Sequence, residues 1–238
     1  MVTSLVRSIF ARRAAAVAIV AMILCASTAS ADTAHPFTVD ITPTHELNIF
    51  SAVLSAGGTG TFLYQYEPEP LVNSASNCTS YGAWGMFAAD NSNKIRQRTS
   101  QFFAAQLITQ QWAQPVDAAH AIYPSSSSIF DMHGNQLVTS YAVLRPDATW
   151  SLLLINKDRF APHNITIIFR DGAYKNHHFQ GSVLEISFGK TQYAWHPNGP
   201  NGFANPDGPP VSGTQAGGKG TVYTLAPASI TVLRGSVR

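Results

Sequence analysis

Residues 137–158 have the sequence LVTSYAVLRPDATWSLLLINKD, and this stretch decides the fold. Two runs rich in apolar and strand-forming residues, 137–144 and 149–155, flank the residues Arg-Pro-Asp at 145–147. Proline and aspartate favour turns, so this arrangement predicts two antiparallel strands joined by a turn. The unbroken apolar run at 152–155 is typical of a central strand that is buried on both faces.

Further short strand-like runs follow at fairly even spacing, with turn residues between them. Their limits are 164–169, 182–188, 192–195, 221–225 and 230–233. A stretch rich in glycine, proline and asparagine, 197–220, has few apolar residues and is predicted to be a long loop. About seven strands without intervening helices predict an antiparallel β-sandwich domain over residues 118–238.

Residues 32–117 have a mixed α/β pattern. Thr44 opens a predicted helix that ends at the glycine pair 57–58, and residues 61–66 predict a short strand. A second helix is predicted from Thr99 to Trp112, and its apolar residues lie on one broad face. The predicted fold class is therefore mainly β, with a C-terminal antiparallel β-sandwich preceded by a short α/β segment.

The first 31 residues predict a signal peptide. Three arginines precede an apolar run of 13 residues at 14–26. That run is too short to span a bilayer, which takes about 20 helical residues. Residues 29–31, Ala-Ser-Ala, have the small-x-small pattern of a cleavage site. We therefore expect a secreted, extracytoplasmic protein without membrane contact after cleavage; a lipoprotein at Cys25 and a retained N-terminal anchor are the alternatives.

Composition excludes several classes of protein. Charged residues make up 12% of the 238 residues and hydrophobic residues 45%, which excludes a disordered chain and a coiled coil. Without residues 1–31, 12 basic residues face 13 acidic ones, so no basic patch indicates a nucleic-acid partner. Cys78 is then the only cysteine, and no metal-binding or cofactor motif is present. Neither a metal site nor a cofactor is expected.

The order of these elements carries a family resemblance. The segments GTFLYQYEPEP at 60–70, YGAWGMF at 81–87 and TSQFFAAQLITQQW at 99–112 resemble the last α/β unit of a (β/α)8 barrel. The barrel is that of retaining glycoside hydrolases of the β-xylosidase, arabinofuranosidase and β-glucuronidase type. Residues 137–158 and the segment YTLAPASITVLRG at 223–235 look like the β-sandwich that follows such barrels.

The resemblance implies a relative that lacks most of the catalytic barrel. A full barrel takes about 250 residues, whereas residues 36–117 have the pattern of a single α/β unit. In the family, the acid/base glutamate ends the fourth barrel strand and the nucleophile ends the seventh. Both strands precede the matching segment, so neither catalytic residue can be carried over and the catalytic residues are unknown.

Glu67 and Glu69 are the only close pair of acids, and they are the candidates for a catalytic pair within this chain. Retaining glycosidases need two carboxyl groups about 5–5.5 Å apart, and residues i and i+2 of a strand share one face. Opposed carboxyl groups normally come from different strands, however. The alternative is a loop at the barrel rim whose acids once bordered a sugar site.

The resemblance also implies residues that bind carbohydrate. Tyr66, Glu67 and Trp84 would line the edge of a sugar cleft at the C-terminal face of the barrel. Trp195 lies between Tyr193 and His196 at the start of the glycine-rich stretch. These three residues are expected to form an exposed platform for a sugar ring. The alternative is that the Trp195 side chain fills the edge of the sandwich.

These observations favour a glycoside-hydrolase-related accessory protein that binds a polysaccharide or oligosaccharide and has no catalytic activity alone. One alternative is an active glycosidase, working by itself or with a separate barrel chain. Another is a truncated fragment without a function. An exposed apolar face on residues 37–117 would favour a missing partner, whereas burial of that face against the sandwich would favour an independent binding module.

Overall fold

The computed structural model describes residues 66–73, 81–83 and 85–238. The predicted signal peptide at 1–31, the helix that starts at Thr44, most of the strand at 61–66 and the candidate sugar-binding residue Trp84 lie outside the described residues. Those predictions stay as they stand. No helix in the described part of the chain is both long enough and apolar enough to cross a membrane.

The described chain contains seventeen strands, an α-helix and a π-helical segment. Five short strands precede the helix: β1 (Glu69–Pro70), β2 (Val72–Asn73), β3 (Tyr81–Gly82), β4 (Phe87–Ala89) and β5 (Ile95–Arg98). Helix α1 (Ser100–Gln106) continues directly into the π-helical segment Leu107–Trp112. The strands that follow are β6 (Ala121–Tyr123), β7 (Val138–Leu144), β8 (Trp150–Asn156), β9 (His163–Thr166), β10 (Phe169–Arg170), β11 (Asn176–His177), β12 (Phe179–Gly189), β13 (Tyr193–His196), β14 (Phe203–Asp207), β15 (Val211–Gly217), β16 (Val222–Leu225) and β17 (Ser229–Val237).

A six-stranded antiparallel sheet forms the centre of the molecule, with the strand order β15-β12-β17-β8-β7-β6. The two strands predicted from residues 137–158 lie next to each other, and their turn is at residues 145–149. Strand β8 has neighbours on both sides, and Leu152–Asn156 are all buried. The prediction of a doubly buried central strand is confirmed.

Each face of this sheet has its own cover. On one face, alternating residues of β7, β8, β12 and β17 pack against α1 and the π-helical segment. On the other face, the pair β9–β16 contributes Tyr223, Leu225 and Ile165 to a second apolar cluster. Because strand side chains alternate between faces, the continuous apolar run of β8 supplies both clusters. The predicted mainly β fold, a sandwich preceded by a short α/β segment, is confirmed.

The predicted helix at 99–112 is confirmed, with a change of geometry half-way along. Thr99 is at the N-cap, but its hydroxyl donates to the Gly85 carbonyl oxygen at 2.9 Å instead of capping the helix. At the other end, the Ala113 amide donates to the Ile108 oxygen, an i to i−5 bond of the π type. The wider turn brings the Trp112 indole N–H to the Tyr141 carbonyl oxygen at 3.2 Å. Trp112 is thereby buried against the sheet.

The prediction of one long loop over residues 197–220 is wrong. This stretch contains β14 and β15, and β15 pairs with β12 over seven residues. Residues Val211–Gly217 are mostly exposed because β15 is an edge strand. An edge strand is held by backbone hydrogen bonds to one neighbour and needs few apolar side chains, so the composition of this segment hid the strand.

Candidate functional site

The sheet β1-β4-β5 meets the hairpin β13–β14, which carries the predicted sugar-binding residue Trp195. The Ala204 amide donates to the Gln97 side-chain oxygen at 3.0 Å, and an Arg96 guanidinium N–H donates to the Pro200 carbonyl oxygen at 3.4 Å. The side chains of Leu71 and Trp195 both approach Gly202. We call the exposed side chains of Arg96, His196 and Phe203 the hairpin surface.

Tyr66, another predicted sugar-binding residue, is 71% exposed. Its ring contacts the Phe87 ring edge to face, with a centroid distance of 5.6 Å. Phe87 in turn lies 5.4 Å from Phe102, and the Arg98 guanidinium lies 5.0 Å from the Phe102 centroid. This row of aromatic contacts gives the exposed tyrosine a packed support on the helix.

The two candidate acids have different surroundings. Glu67 is exposed and precedes β1, whereas Glu69 is half-buried within β1, where it pairs in parallel with Ala88. The argument that both carboxyl groups share one strand face needs both residues in a strand, and Glu67 is not in one. Their assignment as a catalytic pair therefore remains a prediction without support from strand geometry.

Trp195 closes the edge of the sandwich. It is half-buried against the cluster that contains Phe103 and Phe188. A Cβ atom added to Gly202 would lie 2.6 Å from the Trp195 ring, so the indole lies directly on the glycine backbone. Tyr193, from the same strand, is buried as well. The structure therefore favours the alternative in which Trp195 fills the edge of the sandwich, and Tyr193 belongs to the core.

An exposed aromatic pair exists nonetheless, one residue further along. The His196 and Phe203 rings face each other across β13–β14, with a centroid distance of 5.1 Å and an interplanar angle of 19°. Phe203 is 42% exposed, and His196 Nε2 lies 2.9 Å from the Asn205 carbonyl oxygen. The sequence pointed to His196 but missed Phe203, which lay inside the stretch predicted as loop. Recognising a hairpin about the glycines 199 and 202 would have placed the two rings opposite each other.

The hairpin surface combines an exposed aromatic pair with a charged side chain. Because the two rings stack on each other, only their outer faces and edges are open to a ligand. The C–H face of a sugar ring packs on an apolar ring face of this kind. Exposed Arg96, which contacts the hairpin at Pro200, supplies hydrogen-bonding groups in the same region. A few polar groups around an apolar contact fix the orientation of a ligand.

Acidic and histidine side chains outside this surface form local pairs. Asp171 and His177 approach within 3.0 Å, and the hydrogen bond from His177, with backbone N–H donors, holds the pKa of Asp171 below its ordinary value. Asp158 and His163 form a second such pair, also at 3.0 Å. Among the described residues, no three His, Cys, Asp or Glu side chains come together as a metal site.

Comparison with known proteins gives partial matches only. No protein-family model matches the sequence, and no curated protein matches it either. Solved structures similar to part of this chain include the GH51 α-L-arabinofuranosidase of Thermotoga petrophila RKU-1 (13% identity, 64% of this chain, 31% of that chain, TM-score 0.40). The GH51 arabinofuranosidase of Xanthomonas axonopodis pv. citri matches at 16% identity over 64% of this chain and 29% of that chain (TM-score 0.40).

The catalytic domain of GH30 xylanase C from Talaromyces cellulolyticus is a third such structure (12% identity, 68% of this chain, 28% of that chain, TM-score 0.36). The chain thus spans roughly a third or less of the length of each of these enzymes.

Proposed function

We propose that this protein is an exported accessory β-sandwich, related to glycoside hydrolases, that binds a polysaccharide or oligosaccharide at the hairpin surface. The observation that carries the proposal is the exposed, nearly parallel His196–Phe203 pair. It offers the apolar contact that a sugar ring requires, and the neighbouring polar side chains offer hydrogen bonds.

Burial of the helix supports a module that folds by itself. Phe103, Leu107, Ile108 and Trp112 form the apolar face of the helical region, and all four are buried against strands of the same chain. A helix that had kept the role of a barrel segment would present this face to other barrel units. Within the described residues, the apolar face of the helix is buried against the sandwich, and this burial favours an independent binding module.

Binding of insoluble polysaccharide tests this proposal. We expect the protein to be retained on at least one of arabinoxylan, arabinan and glucuronoxylan, and Phe203→Ala to weaken retention about fivefold by removing one stacking partner. Phe160→Ala is the matched control, because Phe160 is also an exposed phenylalanine but lies after β8. Equal retention of both variants, or retention on none of the polymers, would contradict the proposal.

Absence of hydrolysis by this chain alone is the second part of the proposal. It is supported by the position of Glu67 and Glu69 on one short segment, since a retaining mechanism needs carboxyl groups on opposite sides of the sugar. We expect no turnover of aryl xyloside, arabinofuranoside or glucuronide by a cooperatively folding protein. Turnover that Glu67→Gln or Glu69→Gln abolishes would show instead that the chain is a small glycosidase. An aggregating protein would indicate a fragment that needs a separate barrel chain.

A further inference from the structure

Two arginines converge on the end of the π-helical segment. Arg145, directly after β7, and Arg234, in β17, each donate to the Gln111 carbonyl oxygen, at 3.4 and 3.3 Å. Carbonyl groups in the last turn of a helix carry partial negative charge and attract cations. One neutral carbonyl, however, does not balance two guanidinium charges.

A single carboxylate lies beside this pair. Asp147 Oδ2 lies 3.5 Å from Arg145 Nη2. Although partial burial opposes ionisation, hydrogen bonds from Thr149 and the charges of the two arginines hold the pKa of Asp147 below its ordinary value. Partial burial and the charge of Arg145 lower the pKa of Arg234. The cluster of Arg145, Asp147 and Arg234 therefore carries a net charge of about +1 at neutral pH, and an additional anion would be attracted to it.

A cleft lies next to this cluster. It has a volume of about 270 Å³ and runs between the helical region and the strands β12 and β15, close to the lower end of the range of roughly 300–1,000 Å³ for small-molecule pockets. Gln111 and Leu184 are two of its wall residues. Arg234 donates a hydrogen bond to the Gln111 carbonyl oxygen and is the cross-strand neighbour of Leu184 in β12. Arg234 therefore adjoins the end of the cleft that these two residues line.

Two buried polar atoms in the same place lack hydrogen-bond partners among the described residues. They are Nε of Arg145 and Oγ of Ser151, and Ser151 is the cross-strand neighbour of Arg234 in β8. Both residues are more than nine-tenths buried. Most buried polar groups in folded proteins are paired, so these orphan donors, together with the excess positive charge, indicate a place for an acceptor that the chain itself does not supply.

We infer that the Arg145–Arg234 cluster binds the oxyanion group of a small ligand, a carboxylate or a phosphate, at the adjoining end of the cleft. A guanidinium group suits both anions because its parallel N–H groups donate to two oxygens at once. The glutamine, serine and proline side chains of the cleft would then contact the uncharged part of the ligand. This site is separate from the hairpin surface and does not rest on the proposed function.

Calorimetric titration of the full chain with three probes tests the inference. Glucuronate carries a carboxylate, glucose is its neutral counterpart, and inorganic phosphate carries the other oxyanion. We expect glucuronate or phosphate to bind, glucose not to bind, and binding to weaken as salt is added. Binding of glucuronate would identify the ligand group as a carboxylate, and binding of phosphate would identify it as a phosphate. Binding of neither anion, or equal binding of glucose, would overturn the inference.

Two variants with opposite expected effects assign the binding to this cluster. Arg234→Gln removes a charge-assisted donor and should weaken binding of the anion about tenfold, whereas Asp147→Asn removes the competing carboxylate and should strengthen it. Arg238→Gln, which removes an arginine outside this cluster, is the matched control and should leave the affinity for the anion unchanged. Because Arg234 is half-buried, its variant is first checked for cooperative unfolding. If Asp147→Asn leaves the affinity unchanged or lowers it, the site is wrongly assigned.

Discussion

Gly208 lies between β14 and β15, where the chain passes against the ring of Phe103. Its φ angle is +87°, a conformation that side chains disfavour, and a Cβ atom added there would overlap the Phe103 ring. The glycine therefore serves both the left-handed turn and the close approach of the backbone to the helix. Its role is set by a residue about a hundred positions earlier in the chain.

Replacing this glycine gives a prediction at the residue scale. Gly208→Ala should lower the free energy of unfolding by about 3 kcal/mol, because the methyl group adds left-handed strain to overpacking against Phe103. Gly213→Ala is the control, since its Cβ would meet nothing within 4 Å. Urea unfolding of both variants measures the difference. Equal stabilities would mean that the Phe103 ring does not lie against Gly208.

Asn156 shows a residue whose importance the sequence did not reveal. It is fully buried at the end of β8, and its Nδ2 donates to the Ala226 carbonyl oxygen at 2.8 Å and to the Ala161 oxygen at 3.1 Å. Its Oδ1 accepts the Asp158 amide at 3.0 Å. The side chain thus connects the ends of two loops that are distant in sequence. A buried polar group of this kind is stable only because its hydrogen bonds are made.

At the scale of elements, four turns have the same backbone pattern. In each, the first residue donates its amide to the carbonyl oxygen of the fifth, and the fourth donates to the carbonyl oxygen of the first. The fourth residue has a positive φ in every case: Asn93, Gly134, Ala148 and Tyr174. Three of the turns begin with an aspartate whose carboxylate accepts backbone N–H groups two and four residues later: Asp90, Asp131 and Asp171.

The fourth position of these turns gives the prediction at this scale. Ala148→Gly should raise the free energy of unfolding by about 0.5–1 kcal/mol, because relief of the left-handed strain exceeds the entropy that glycine adds to the unfolded chain. Gly134→Ala should lower it by about 1 kcal/mol for the converse reason. Thermal unfolding of the two variants, side by side, checks both signs. Changes in the same direction would contradict the shared turn geometry.

At the scale of the whole molecule, carboxylate hydrogen bonds make stability depend on pH. Backbone and side-chain donors hold the pKa values of Asp90, Asp131 and Asp171 below the ordinary value of 3.8. The unfolded chain then binds protons more readily than the folded one, so these groups stabilise the fold above about pH 4 and lose that effect as pH falls further. Burial raises the pKa of Glu185, which acts in the opposite direction.

Urea unfolding between neutral pH and pH 3 measures the balance. We expect the free energy of unfolding to fall below about pH 4, since these three aspartates, together with Asp147 and Asp158, whose pKa values are also lowered, outnumber Glu185. Asp90→Asn, Asp131→Asn and Asp171→Asn, combined in one variant, keep an acceptor oxygen at each turn but cannot take up a proton. This variant should show a flatter pH dependence. Parallel curves for the variant and the original protein would rule out the turn aspartates as the cause.

The sequence alone determined the central strands, the helix at its predicted position and the class of fold. Each is a local pattern: a continuous apolar run for β8, apolar residues on one face for the helix, and turn residues between strands.

Only the tertiary structure decided the remaining features. Strand β15 forms because β12 offers unpaired backbone groups, a property that no residue of the glycine-rich stretch reveals. His196 and Phe203 become a stacked pair through the register of a hairpin. Arg145 and Arg234 converge because β7 and β17 both pair with β8, which brings the end of β7 and Arg234 to the same end of the sheet, beside the end of the helix. Such juxtapositions depend on strand order and register, which arise from packing of the whole chain rather than from local propensity.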